Sequence, residues 1–446
     1  MADKNLPTEP YKGVRDFYPD DMAVQRYMFD VWSQTAESFG YARYDASVLE
    51  PAELYKAKGA ENEELVNEQT YTFTDRGDRQ VTLRPEMTPT VARMIAAKRK
   101  ELAFPVRWYS IPNLFRYERA QRGRLREHWQ LNCDIFGTDE RAADVEIIAL
   151  AYQTFLNFGA DPSMFEIRIN DAAGMQTTFS DANFFDLSAE QSRRLRKLTD
   201  QRRKLKVEDF EVGAADIFGA DTHKTNLFIK SLDCPDPASY LAWISQNAQN
   251  PVENPLEYTG YINASEILDG LRTLGITNVV FDPSIVRGFD YYTGVVFEFF
   301  DTDPANRRAL LGGGRYDNLT ELFGGEPIPG IGFGWGDVTL RDFLETHNLL
   351  TADITAPTIM VAPTDPSLNI AGQKIAQEIR ASGLSVAVDI SNRKIGKKIT
   401  AASDAFVEYV LVLGEDEIAS GTYSVKNLTT GEQLSGTLEE LCEQLV

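Results

Sequence analysis

Cysteine is scarce in this 446-residue chain: Cys133, Cys234 and Cys442 are the only three, and they stand far apart. No paired spacing exists for a disulfide framework or a zinc ribbon, so neither is expected, and the usage suits a reducing compartment. Histidine is as rare. His128, His223 and His347 are not neighbours, which argues against a histidine-held metal. No apolar run reaches the roughly 20 residues of a membrane span. The opening MADKNLPTEP has no apolar stretch, so no secretory leader is expected and the chain reads as cytoplasmic. Basic residues are outnumbered: 45 Lys and Arg face 67 Asp and Glu, a net charge of −22. A protein that coats nucleic acid through bulk charge is disfavoured, although local basic patches can still grip one particular RNA.

What remains is an ordinary globular composition, 43% hydrophobic and 25% charged, with length for two or three domains. Apolar spacing predicts a helix over Val24 to Phe39, followed by a strand in YARYDASVLEP. Tyr71 to Pro89 reads as a hairpin that delivers LRPEMTP, and Val91 to Glu101 as a helix. A second hairpin pairs VRWYSIPNLFRYE with EHWQLNCDIFG across the basic loop RAQRGRLR. Its return strand alternates strictly. Trp129, Leu131, Cys133 and Ile135 share one face; His128, Gln130, Asn132 and Asp134 share the other. The polar face suggests a floor that contacts a polar ligand, though a half-exposed antiparallel strand alternates in the same way.

Asp139 to Phe158 reads as a helix and FEIRIND as a strand. From Ala172 to about Pro255 helix formers dominate, which predicts an inserted helical module. It carries the densest basic cluster, from Arg193 to Lys206, open to reading as a solvated helix face or as a phosphate contact. Ala264 to Leu274 is expected as a helix, VVFDPSIV as a strand, and Gly330 to His347 as a glycine-dense strand running into a helix. After the linker LLTADITAP, strands alternate with helices from Pro357 onward, which predicts a small α/β domain with a mainly parallel sheet.

The most informative stretch is VRGFDYYTGVVFE, Val286 to Glu298, with GGGRYD (Gly312 to Asp317) behind it. Glycines let a backbone crowd a ligand. Arg287 and Arg315 are the residue type that grips phosphate or carboxylate, although Arg315 with Asp317 also fits a structural ion pair. The tyrosines offer flat faces with a hydroxyl at the tip.

These segments together resemble the histidyl-tRNA synthetase family. VRGFDYYTGVVFE and GGGRYD are similar to its two signature segments, LRPEMTP to its amino-group loop, and FRYERAQRGRLREHWQLNCDIFG to the second class II motif. The C-terminal part resembles the class IIa anticodon-binding domain, and the likeness runs from KGVRDFYPDD at Lys12 to the end. It implies an α+β class II catalytic domain, an antiparallel six-stranded sheet with flanking helices, over residues 1–171 and 256–348. A helical insertion at 172–255 and an α/β anticodon-binding domain at 357–446 complete the expected architecture. The first motif, around Val24 to Leu49, implies a homodimer.

The implied reaction joins L-histidine to ATP as histidyl-adenylate, then passes it to the 3′ end of tRNA(His), with Mg2+ accompanying ATP and no zinc. By the resemblance Arg116 and Arg287 act on the α-phosphate. Glu86 and Thr88 bind the α-ammonium, and Gln130 and Asp134 contact histidine. Tyr291, Tyr292 and Tyr316 line the imidazole pocket. Glu118 serves ATP and magnesium, and His128 and Thr339 take the adenine-clamp positions. Arg119, Gln121, Arg122 and Arg124 are candidates for the tRNA acceptor end, and Lys397 and Lys398, in the basic loop NRKIGKK, for the anticodon arm. Four positions depart from the family pattern. Ser47 replaces a proline. Asp134 replaces a glutamate one methylene longer. His128 replaces a stacking phenylalanine. Thr339 replaces the third-motif arginine, and Arg341, two residues on, points elsewhere at helical spacing. The alternative reading is a non-catalytic paralogue that senses histidine or tRNA, like the regulatory subunit of ATP phosphoribosyltransferase.

Overall fold

Short alternating segments build one large sheet in the N-terminal three-quarters of the chain. The computed structural model describes residues 6–56, 69–182, 184–249, 258–286, 291–351 and 356–445. Two compact units result: Met1–Phe17 with Val24–Thr351, and Tyr18–Ala23 with Ala352–Val446.

Helix α1 (Pro19–Ser38), which belongs to the larger unit from Val24 on, precedes two short strands, β1 (Ala42–Arg43) and β2 (Leu49–Pro51), where a single strand was expected. Helix α2 (Glu53–Lys56) follows. The predicted hairpin forms β3 (Tyr71–Thr74) and β4 (Gln80–Leu83), which with β2 make a three-stranded sheet. Helix α3 (Thr88–Lys98) carries Pro89 in its first turn, where no N–H is needed. The second hairpin is broken on its first side into β5 (Val106–Ser110) and β6 (Asn113–Phe115). Pro112, which lacks a ladder donor, sits at the break. The return strand β7 (Glu127–Phe136) pairs with both.

Helix α4 (Arg141–Asn157) leads to β8 (Phe165–Asp171). Five helices follow: α5 (Ala172–Ser180), α6 (Ala189–Asp200), α7 (Val207–Ile217), α8 (Thr222–Ser231) and α9 (Pro237–Asn247). Ser188 closes a capping box on α6, and Asp221 and Asp236 cap α8 and α9. Helix α10 (Thr259–Thr273), β9 (Val279–Phe281), β10 (Val295–Asp301), β11 (Ala309–Arg315), β12 (Gly330–Gly336) and α11 (Asp337–Thr346) complete the unit.

The sheet order is β1-β5-β7-β12-β11-β10-β8-β9. The six strands from β5 to β8 are antiparallel throughout, as expected. The sheet is wider than six because β1 joins β5 and β9 joins β8, both in parallel, and β6 extends the pairing of β7. One sheet face is dry. Phe155 of α4 stacks on Phe165 at 4.3 Å and on Trp335 at 4.2 Å, and Trp32, Leu131, Cys133 and Ile135 are wholly buried there. Burying such side chains is worth about 1.5–3 kcal/mol each, so this face anchors the sheet and leaves the other for a ligand.

The smaller unit begins with β13 (Ile359–Pro363), α12 (Asn369–Ala381), β14 (Val386–Val388), α13 (Ile395–Asp404) and β15 (Tyr409–Leu413). Helix α14 (Glu415–Ser420), β16 (Tyr423–Asn427), β17 (Gln433–Gly436) and α15 (Leu438–Leu445) follow. Only β14, β13 and β15 run parallel; β16 and β17 add antiparallel. The expectation of a mainly parallel sheet is thus corrected. No helix separates β16 from β17, and the two join through a tight turn ending at Gly431, whose φ is +78°.

Candidate active site

Strand β7 carries Gln130 and Asn132 to one cleft, because its apolar alternates are committed to the core. The cleft holds about 470 Å³ of empty space, part of it open to solvent. Gln130 and Asn132 line it from β7, Glu86 and Thr88 from the start of α3, and Arg116 from beyond β6. Tyr291, Tyr292 and Tyr316 close one side, with ring centroids 4.8 Å apart for Tyr291 and Tyr292 and 5.8 Å for Tyr291 and Tyr316.

Two buried acids bond to its tyrosines. Glu86 accepts a hydrogen bond from the Tyr291 hydroxyl at 3.2 Å. Asp134 accepts one from the Tyr316 hydroxyl. Burial pushes the Asp134 carboxyl up to about 7, against the pull of that hydrogen bond. Arg116 is aimed by its own Nε, which donates to the Pro85 carbonyl at 2.8 Å. The LRPEMTP loop therefore positions both an acid and the cation opposite it.

The floor is bare by construction. On β12, Gly332 and Gly334 pair with Asp134 and Asn132 of β7. A Cβ on Gly332 would press on the Asp134 carboxylate and stand 2.6 Å from both the Cys133 carbonyl and the Tyr316 hydroxyl. One on Gly334 would stand 2.7 Å from the Gln130 amide carbon. Glycine is required here for close approach. These glycines were missed as site residues, and the signal was the strict period of two in GIGFGWG.

The second-motif loop is folded onto its surroundings. Glu118 accepts from Arg124 at 2.9 Å, and Gln121 and Arg124 bridge across the turn. Arg122 donates to Asn306 at 2.9 Å, and Arg119 is exposed. Arg126 lies over the Tyr117 ring at 4.1 Å. Arg15 was not singled out as a site residue, yet it donates to Asp337 at 2.7 Å, and Asp337 also accepts from the Trp129 amide. Burial, with the charges of Arg116, Arg15 and Arg124, pushes His128 down to about 3, so its ring is neutral at physiological pH. Thr339 donates to the Leu310 carbonyl at 2.7 Å and so presents no cation. Arg341 pairs along its helix with Glu345 at 2.8 Å, off the cleft as its spacing implied.

Some expected roles fall elsewhere. Arg315 is fully buried and bonded to Asp144, Asp317 and the Thr138 carbonyl, so it braces the sheet rather than a ligand. Lys398 is corrected as a tRNA contact: its ammonium is buried, donating to the carbonyls of Pro363 and Asp389 at 3.0 and 2.9 Å. At helical spacing it turns inward, while neighbouring Lys397 is exposed. Much of the basic cluster of α6 and the turn after it is engaged by acids: Arg194 with Asp216, Arg202 with Asp233, Arg203 with Asp282 and Lys204 with Asp200. Arg287, the expected second cation, lies outside the described residues, as do Gly288, Phe289 and Asp290.

Comparisons with known proteins agree on one family. The model described as histidyl-tRNA synthetase matches residues 13–336, and one described as anticodon binding domain matches residues 358–446. A protein of Leptospira biflexa named histidine–tRNA ligase is 39% identical over all of this chain and 99% of its own length. One of the same name from Thermoplasma volcanium is 36% identical over 98% of each. The crystal structure of histidyl-tRNA synthetase from Nostoc superposes with a TM-score of 0.78 at 23% identity, covering 99% of both chains.

Proposed function

The chain belongs to the histidyl-tRNA synthetase family, and on that premise we propose that its cleft activates and then transfers histidine. The activity is that of a histidine–tRNA ligase. Histidine's carboxylate attacks the α-phosphorus of ATP, the bond to the bridging oxygen breaks, and pyrophosphate leaves with the electron pair. A ribose hydroxyl at the 3′ end of tRNA(His) then attacks the activated carbonyl, and AMP leaves.

The first step needs no general base, because a carboxylate is already ionised. It needs alignment and charge stabilisation. Arg116, fixed by the Pro85 carbonyl, takes the α-phosphate and the substrate carboxylate, and Arg287 acts on the same phosphate. Glu86 with Thr88 takes the ammonium. Asp134, with Gln130, takes the imidazole N–H, and the three tyrosines enclose the ring. Glu118 would hold the magnesium that accompanies ATP, and the ion would offset the charge of the nucleotide's phosphates. The neutral ring of His128 offers adenine a face. The chain works in the cytoplasm as a homodimer joined around Val24 to Leu49. Arg119, Gln121, Arg122 and Arg124 meet the acceptor end of tRNA, and Lys397 the anticodon arm. No described helix is long and apolar enough to cross a membrane.

The observation that supports these assignments is the pair of buried acids, each bonded to a tyrosine of the cleft: Glu86 to Tyr291 in a lining shared with Arg116, and Asp134 to Tyr316 from behind that lining. Histidine has two groups that want such acids, one at each end. The regulatory-paralogue reading is disfavoured by full-length relatives named histidine–tRNA ligase and by the match of residues 358–446 to an anticodon-binding domain. Histidine-dependent ATP–pyrophosphate exchange is the test. Folded protein that binds histidine yet shows no exchange would sink the catalytic reading.

A further inference from the structure

Thr339 stands where the resemblance implies a phosphate-binding arginine, so α11 offers no cation there, and the structure supplies one from another element. Arg308 immediately precedes β11, in the loop that follows β10. Asn306, two residues before it, is buried and anchors that loop: it donates to Asp301 at 2.7 Å and accepts from Arg122 at 2.9 Å. Arg308 is thereby held against the second-motif loop. A Cβ on Gly123 would stand 3.1 Å from Arg308 Cδ and 3.6 Å from Thr339 Cγ2, so the arginine packs in the same notch as the threonine.

The electrostatics of this arginine are unusual. It is half-buried, and among the described residues it has neither a hydrogen bond nor an ion pair. Desolvation lowers its pKa, the neighbouring charge of Arg124 lowers it further, and Glu118 opposes them. Glu118 is itself bonded to Arg124. Two guanidinium groups and one carboxylate thus meet at the loop, leaving one positive charge in excess. Holding an unmatched cation in a partly dry position costs free energy unless an anion arrives. Arg308 thus stands beside Glu118 and Arg124 of the loop that follows Arg116, and Arg116 lines the cleft.

We propose that Arg308 grips the terminal phosphates of the nucleotide, together with Arg124, as a residue of the cleft supplied by the β10–β11 loop. This assignment rests on the ligase reading for the identity of the nucleotide, but its chemistry is that of any polyphosphate. Guanidinium is suited to it, since it stays charged and offers paired N–H donors to phosphate oxygens.

The test compares the full-length wild type with Arg308→Ala, Arg308→Lys and Arg307→Ala. Arg307 is exposed and carries the same charge, so it reports any general field effect. Exchange assays give KM for ATP and for histidine. Calorimetry with magnesium tripolyphosphate and, separately, with AMP gives direct binding. Arg308→Ala is expected to raise KM for ATP about tenfold or more, as for loss of a hydrogen bond to a charged group. Tripolyphosphate binding should weaken by a similar factor, while KM for histidine and AMP binding stay unchanged. Arg308→Lys should recover part of the loss, and Arg307→Ala should resemble wild type. Equal weakening of AMP and tripolyphosphate, or an equal effect of Arg307→Ala, would overturn the assignment. So would no effect at all. If wild type bound tripolyphosphate but showed no exchange, the ligase reading would fail while the Arg308 comparison still stood.

Discussion

Replacing Asp134 with asparagine removes one ionisable group from the floor of the cleft while keeping its size. The carboxyl is buried and pushed up to about 7 from an ordinary value of 3.8. Its proton is therefore held more tightly in the folded chain than in the unfolded one. Between about pH 4 and pH 7 the folded state keeps that proton and the unfolded state has lost it. Wild-type stability relative to Asp134→Asn should then fall by roughly 1.4 kcal/mol per pH unit across this window, about 4 kcal/mol in all, and level off above pH 7. Below pH 4 both proteins carry a neutral side chain and the difference should be flat. Denaturant unfolding of both proteins from pH 4 to 9 measures the gap. Carboxyl-carbon NMR should show one aspartate that titrates near pH 7 in the wild type and is absent from the variant. The variant should also lose histidine-dependent exchange while keeping its fold, since an amide cannot match a carboxylate as partner to an imidazole N–H. A gap that does not change with pH, or an Asp134 that titrates near 4 in the folded protein, would refute the desolvation argument.

Gly332→Ala should be among the most damaging conservative changes in the chain. Its methyl must displace the Asp134 carboxylate, the Tyr316 hydroxyl or the Cys133 backbone, costing about 1–3 kcal/mol of stability. KM for histidine should rise with it, and unchanged histidine binding would contradict the bare floor. Lys398→Met should lower the stability of the C-terminal unit by about 1–3 kcal/mol, because the Pro363 and Asp389 carbonyls lose their donor. Where the variant stays folded, its tRNA affinity should match wild type, whereas Lys397→Ala should weaken tRNA binding and flatten its salt dependence. Filter binding across a salt series reads both, and a reversed order would restore Lys398 to the tRNA surface.

The central fold was legible because its signals are local and periodic. Strand β7 announces its two faces by alternation, and its core face is buried as expected. Strand interruptions were less visible, because Pro112 breaks the first side of the second hairpin only when its partner strand is considered. The parallel edges from β1 and β9 are tertiary pairings with no local pattern. In the site, the family resemblance picked out Glu86, Arg116, Gln130 and the three tyrosines, and the fold brings them to one cleft. Charge alone misled. Lys398 and Arg315 carry the right chemistry for anions, but their partners are distant in sequence, and only packing shows that their donors are already engaged. Arg308 was overlooked for the converse reason: its lack of a partner is a fact of the fold.

The glycine floor also constrains how this gene can change. Every missense change one nucleotide away from a glycine codon adds a side chain, and at Gly332 and Gly334 any side chain enters space held by Asp134 or Gln130. Neither position has a mild first step in the genetic code. A lineage that widened or reshaped this cleft would have to vary the tyrosine wall or the hairpin loops, where replacement by degrees is open to it.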